Sequence, residues 1–221
     1  MCLITGGAGC GKSYLLDALV AYCHEIHLET RKTATTGCAA DNIGGVTLHN
    51  FLGMNLKGEV NIQNGTTKAR NIRIADVIFI DEVSMMESEI LYKLETVLRT
   101  HGNPYASFGG KSIVLLGDPA QLPPIGNHIW KQKDFGRFKV IVLRESQRQK
   151  DKVFVGILNR MRVGKLTHED WLTLNTRMVS EDDALNMDPA MTLMLYPRNI
   201  DRDYYNQRVM DSMEGEWVVY K

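Results

Sequence analysis

LITGGAGCGKSYLLDAL, residues 3–19, passes from an apolar run through a glycine-rich turn into helical apolar spacing. Gly6, four residues, then Gly11, Lys12 and Ser13 make the phosphate-loop pattern. In that pattern glycine N–H groups curl around phosphates, the lysine reaches the β and γ oxygens, and the serine hydroxyl holds Mg²⁺. Incidental glycine-rich turns also match it, so the flanks matter. Here Met1 to Thr5 reads as a buried strand and Tyr14 to Tyr22 as a helix, the context in which helix N–H groups face an anion. ATP with Mg²⁺ is therefore the expected ligand, held by Gly6, Gly7, Ala8, Gly9, Cys10, Gly11, Lys12, Ser13 and Tyr14.

Further along, strands are expected at 2–5, 31–35, 76–80, 112–116 and 139–143, and helices at 12–24, 37–43, 87–99 and 151–163. Near-continuous apolar strands separated by helices imply a parallel sheet covered on both faces, an α/β nucleotide-binding architecture. Residues 54–74 turn polar, with Gly58, Asn61, Asn64 and Gly65 beside Lys57, Lys68, Arg70 and Arg73. A loop of that length inside a compact domain is usually functional or mobile. After residue 143 the texture becomes charged helix, and a domain boundary is expected near residue 140, giving domains 1–140 and 141–221. Leu193 to Tyr196 and the closing EWVVYK read as further strands.

Twenty-six Lys+Arg balance 26 Asp+Glu, so nucleic-acid binding requires a local groove and not a bulk basic field. Cys2, Cys10, Cys23 and Cys38 have no metal-ligand spacing and read as reduced thiols of an intracellular compartment. No run approaches membrane-spanning length, so no membrane partner is expected. The eleven methionines, Met85 and Met86 among them, read as core filler.

VIFIDEVSMM, residues 77–86, ends an apolar strand on Asp81 and Glu82. Beside a phosphate loop such a pair divides into a metal-holding carboxylate, Asp81, and a water-activating one, Glu82; alone it would pass as an acidic turn. IVLLGDPAQLPPI, residues 113–125, repeats the arrangement with Gly117, Asp118 and Gln121. The Gln121 amide both accepts from water and donates to a γ-phosphate oxygen, which suits a sensor.

GGAGCGKS, TATTGCAADNIGGVTLHNFLG, IDEVSMM, GDPAQLPPI and LRESQRQKD follow one another in the order of the superfamily 1B helicase motifs I, Ia with Ib, II, III and IV. From Leu3 to about Asn175 the chain resembles the Pif1 family. GDPAQLPP lacks the two aromatics usual after the Asp in that family and is similar to RecD-type relatives. The resemblance implies a RecA-like motor domain followed by part of a second. It also implies an ATP-dependent 5′ to 3′ DNA helicase that translocates on single-stranded DNA and acts at duplex junctions.

By the same resemblance Arg148 is an arginine finger reaching the γ-phosphate from the second motor domain. Thr35, Thr36, Thr47, His49 and Asn50 lie against the DNA backbone. Phe51 reads as core, with base stacking as the alternative, and His49 has a structural alternative too. Residues 54–74 correspond to the wedge element, or else form a solvated loop. Expected partners are DNA and replication or repair proteins, with the chain a monomer. The nucleus, mitochondrion, a viral replication site or a bacterial cytoplasm fits. The family's motifs V and VI are not found before Lys221, so the expectation is a piece of a longer chain that binds ATP, turns it over weakly with DNA and does not unwind duplex. A nucleotide switch, a kinase and a nucleic-acid module without ATPase are the competing readings. No guanine-reading Asn-Lys-x-Asp element or arginine-rich lid supports the first two, and intact Lys12, Ser13, Asp81, Glu82 and Gln121 oppose the third.

Overall fold

Six short strands, most of them apolar, and the helices between them build the first of two compact units, Met1–Thr167 and His168–Lys221. The computed structural model describes residues 1–221 except 56, 190, 214, 216, 217 and 219–221, and only the backbone of 133 and 134. In the first unit β1 (Cys2–Gly6), β2 (Thr30–Ala34), β3 (Val46–Thr47), β4 (Val77–Asp81), β5 (Ser112–Gly117) and β6 (Lys139–Leu143) form one sheet. Its order is β3-β2-β4-β5-β1-β6 and every pairing is parallel.

Both faces are covered, as the apolar strands require. Along β4, Ile78 and Ile80 pack into a core with α3 (Leu48–Phe51), α4 (Thr67–Ile74) and α5 (Ser88–His101). Val77 and Phe79 pack into the opposite core with α1 (Lys12–Glu25) and α2 (Gly37–Asn42). Strand alternation thus divides one apolar run between two cores. Because all strands are parallel, their carboxyl ends share one edge. The chain leaves β1 for β2 on one side while β6 adds on the other. That switch in strand order opens a crevice where α/β sheets bind ligands.

Residues 54–74 are more ordered than a polar loop. Met54 and Val60 make an antiparallel bridge, and the Asn55 side chain accepts from the Lys57 and Glu59 N–H groups. Lys93 on α5 donates to the Gly58 carbonyl at 2.8 Å, pinning the turn. The second half is α4, capped by Thr66, whose hydroxyl accepts from Ala69 N–H, and it buries Ala69 and Ile72. Lys68, Arg70 and Arg73 hid this helix because they lie on its solvent side.

The boundary expected near residue 140 falls inside β6, which pairs with β1 from Cys2↔Lys139 to Gly6↔Leu143. The first unit continues through α6 (Lys152–Arg162) to Thr167. The change in texture there reflects an exposed edge strand and a surface helix. The second unit contains α7 (His168–Asn175), α8 (Glu181–Leu185) and α9 (Asn199–Ser212). Leu193 to Tyr196 is not a strand; no partner strand exists among this unit's described residues. EWVVYK lies outside the described residues apart from Val218. No helix among the described residues is long and apolar enough to cross a membrane.

Candidate nucleotide and nucleic-acid site

The phosphate loop joins β1 to α1. Gly11 caps α1 at φ 84°, in the left-handed region, and no side-chain hydrogen bond replaces it. Glycine adopts that conformation without penalty, leaving the first N–H groups of α1 facing outward. Gly9, at φ 73°, has a second constraint: a Cβ there would come within 2.6 Å of Arg148 Cβ. Lys12 lies back along its own loop, its Nζ donating to the carbonyls of Gly6 at 2.9 Å and Gly7 at 3.0 Å.

At the tip of β4, Asp81 is buried and accepts from Glu82 N–H at 2.9 Å. Burial pushes its carboxyl above the usual carboxylate range, against the lowering effects of that N–H and the Lys12 ammonium. Glu82 is raised as well, by burial first, then by the Asp81 charge and, more weakly, by Asp118, with Lys12 opposing. Glu82 also stands at φ 53°, ψ 43°, a left-handed conformation costing roughly 1–2 kcal/mol for a residue with a Cβ. Its N–H is tied to Asp81, and its carbonyl accepts from Thr35 Oγ1 at 2.8 Å and from Met85 N–H at 3.3 Å.

Ala8, Gly9, Gly11, Lys12, Ser13, Tyr14, Asp81, Glu82, Gln121, Gln147 and Arg148 line one cleft of about 420 Å³. Every residue expected to perform chemistry is therefore in one place. Gly7 and Cys10 line an adjoining cavity of about 370 Å³, and Gly6 serves as acceptor for Lys12. Arg148 belongs to the first unit, not to a second domain. Gln147 and Arg148 N–H groups donate to the Gly9 carbonyl at 2.8 and 3.2 Å, so the segment after β6 is held on the phosphate loop. Gln147 had no signal in the sequence beyond its neighbour Arg148.

Gln121 enters the cleft on a turn built by Asp118. Gln121 N–H donates to the Asp118 carbonyl at 2.9 Å, and Ala120 N–H to Asp118 Oδ1 at 3.1 Å. The Asp118 carboxylate, 2% exposed, accepts from Arg162 at the end of α6: Nε at 3.0 and 2.9 Å and Nη2 at 2.6 Å. Burial pushes Asp118 upward, but the Arg162 hydrogen bonds, the Ala120 N–H and the charges of Arg162 and Lys12 outweigh it, and the carboxyl ends below its usual range. Arg162 has no sequence signal, because an arginine ending a surface helix is ordinary.

The residues expected against DNA separate into different environments. Thr36 and Thr47 are helix N-caps, accepting from Ala39 and Asn50 N–H at 3.2 Å each, a role worth about 1 kcal/mol. Thr35 spends its hydroxyl proton on Glu82. Thr35 and His49 line a cavity of about 270 Å³ with Lys57, Met85 and Lys93. Thr36 lines a separate groove with Asn42, Ser84, Gln121 and Leu122, while Asn50 is exposed outside both. Phe51 is in the core, 7% exposed.

A family model described as PIF1-like helicase matches residues 1–171. The chain belongs to the PIF1-like helicase family. Among its PIF1-like relatives, the ATP-dependent DNA helicase PIF7 of Trypanosoma brucei brucei is 41% identical over 184 residues, 74% of this chain and 18% of its own. The ATP-dependent DNA helicase PIF1 of Candida albicans is 31% identical over 245 residues, 98% of this chain and 26% of its own. The crystal structure of Candida albicans Pif1 superposes with a TM-score of 0.83 at 29% identity, covering 99% of this chain and 52% of that one. Bacteroides Pif1 bound to ssDNA gives 0.81 at 25%, covering 97% and 53%. These likenesses bear out the parallel, helix-covered sheet read from the strand pattern and the RecA-like architecture that the resemblance implied. The chain spans about a fifth to a quarter of the length of these two curated relatives.

Proposed function

We propose that this chain is the ATP-binding motor segment of a 5′ to 3′ DNA helicase, hydrolysing ATP to move along single-stranded DNA and open duplex at a junction. The observation that carries the reading is the convergence of Lys12, Ser13, Asp81, Glu82, Gln121 and Arg148 on one cleft. Lys12 and Arg148 supply positive charge where negative charge develops on the transferring phosphoryl group, and Gln121 and Glu82 are available to orient the attacking water. Ser13 and Asp81 offer the hard oxygen donors that suit Mg²⁺, which binds with one or two protein ligands beside nucleotide phosphates. No cluster of three or more His, Cys, Asp or Glu that would hold a metal by itself occurs among the described residues. Held there, Mg²⁺ would neutralise negative charge on the nucleotide phosphates. The second unit, from His168, is read as the beginning of the second motor domain.

ATP turnover measured with and without single-stranded DNA tests the reading. DNA-stimulated turnover is expected, and a chain that neither binds nor hydrolyses ATP would reject it. Glu82→Gln separates binding from hydrolysis. Glu82 lines the cleft and is the group proposed to act on water, so the variant is expected to bind ATP with Mg²⁺ normally and hydrolyse it about 10²-fold more slowly. Lost nucleotide affinity in Glu82→Gln, with affinity kept in Asp81→Asn, would reverse the two roles.

DNA binding is proposed for the cavity of Thr35, His49, Lys57 and Lys93 and the exposed basic residues of α4 beside it in sequence. Such contacts to phosphates ignore sequence. Affinity for an unstructured oligonucleotide is therefore expected to fall with salt, with a log–log slope of roughly −0.7 per phosphate neutralised. A salt-independent affinity, or strong preference for one duplex sequence, would exclude this surface.

A further inference from the structure

We propose that Arg162 is a positioning residue for ATP hydrolysis, acting through Asp118 to hold the turn that presents Gln121 to the nucleotide cleft. This rests on the ATPase reading above. Asp118 uses almost every acceptor it has on that turn. Its carbonyl takes Gln121 N–H, its Oδ1 takes Ala120 N–H, and both carboxylate oxygens take the Arg162 guanidinium. A planar guanidinium on a carboxylate through two nitrogens fixes direction as well as distance. The carboxylate is buried while Arg162 keeps one side toward solvent.

The pair also closes a circuit. Leaving β6, the chain bonds to the phosphate loop at Gly9 through Gln147 and Arg148, then forms α6, capped at Asp151, and ends that helix on Arg162. Arg162 and Asp118 line the adjoining cavity together with Gly7, Ala8, Cys10 and Gln121. The segment that carries Arg148 is therefore fastened at one end to the phosphate loop and at the other to the turn that carries Gln121. Two groups needed on facing parts of one cleft are held by one tether.

Burial gives a second reason for the arginine: the Asp118 carboxylate is 2% exposed, and without the guanidinium it would be left buried without its ionic partner and the turn without its anchor.

The test compares wild type, Arg162→Gln, Arg162→Lys and Asp118→Asn for ATP binding by calorimetry, for kcat and KM, and for thermal midpoint. Wild-type turnover that disappears in Lys12→Ala establishes the ATPase reading first, and its absence would reject that reading and not this one. Arg162→Gln is expected to lower kcat about ten-fold or more while changing the ATP dissociation constant less than about three-fold, since misplaced catalytic groups act on the transition state. Arg162→Lys should recover part of the loss, and Asp118→Asn, nearly isosteric, should reproduce it. In a Gln121→Ala background Arg162→Gln should add less than about two-fold, because it acts through Gln121. Additive losses, an unchanged kcat, or failure of both Arg162→Gln and Asp118→Asn to fold would each overturn the proposal.

Discussion

Lys12→Ala is expected to abolish measurable ATP hydrolysis, a loss of about 10³-fold, while leaving the fold intact. The ammonium is held at the mouth of the phosphate loop by two backbone carbonyls, of Gly6 and Gly7, and Lys12 belongs to neither apolar core of the described residues. On the proposed ATPase reading, it is expected to exchange those carbonyls for phosphate oxygens and to stabilise charge that grows in the transition state. Removing one such preorganised donor from an active site typically costs about 10²–10³ in rate. Here the loss is placed at the upper end of that range because the Lys12 charge also opposes the upward push on Asp81 and Glu82. Circular dichroism and the thermal midpoint should match wild type. A folded Lys12→Ala protein with wild-type turnover would remove the cleft from consideration as the catalytic site.

Arg148→Ala should be nearly as damaging, about 10³-fold in DNA-stimulated kcat, with ATP affinity reduced far less. An arginine placed on the transferring phosphoryl group contributes about 10³–10⁵ in related reactions. The distinctive feature here is where the residue is anchored. Its backbone bonds to Gly9, and its Cβ occupies the space a side chain at Gly9 would fill. It is held on the phosphate loop by the first unit itself. Gly9→Ala should therefore act as a partial mimic, displacing Arg148 without removing it. Single-turnover hydrolysis with saturating oligonucleotide separates the chemical step from release. A loss below about ten-fold in Arg148→Ala would assign the residue to surface charge.

The phosphate loop, the strand tips and five of the six strands were legible because each is a local signal. Glycine spacing, a four-residue apolar run or an acidic pair at its end depends on neighbours within a few positions. The two-residue β3 was missed, being too short to carry any period. α4 was missed because five of its eight residues are polar and it buries only two, Ala69 and Ile72. The boundary near 140 went wrong for a related reason: β6 is an edge strand whose Val140, Ile141 and Val142 stay half exposed, so its membership of the sheet is visible only in its pairing with β1.

Assigning Thr35 and Thr36 by resemblance to the DNA backbone overlooked what their hydroxyls do in the fold. Thr35 bonds across 47 positions to the carbonyl of Glu82, and Asp118 across 44 to Arg162. Such pairs join residues with no periodic or spacing relation to each other, and each residue alone is an ordinary threonine, aspartate or arginine. By itself the sequence determined a glycine-rich turn between β1 and α1 and a carboxylate pair at the tip of β4, because each is a local pattern of residue types at fixed spacing. Only the tertiary structure decided that Arg148 stays on the unit with the phosphate loop, that Thr35 clamps a strained Glu82, and that Arg162 holds the turn of Gln121. Those are consequences of parallel strands ending at one edge, which brings distant loops within hydrogen-bond distance.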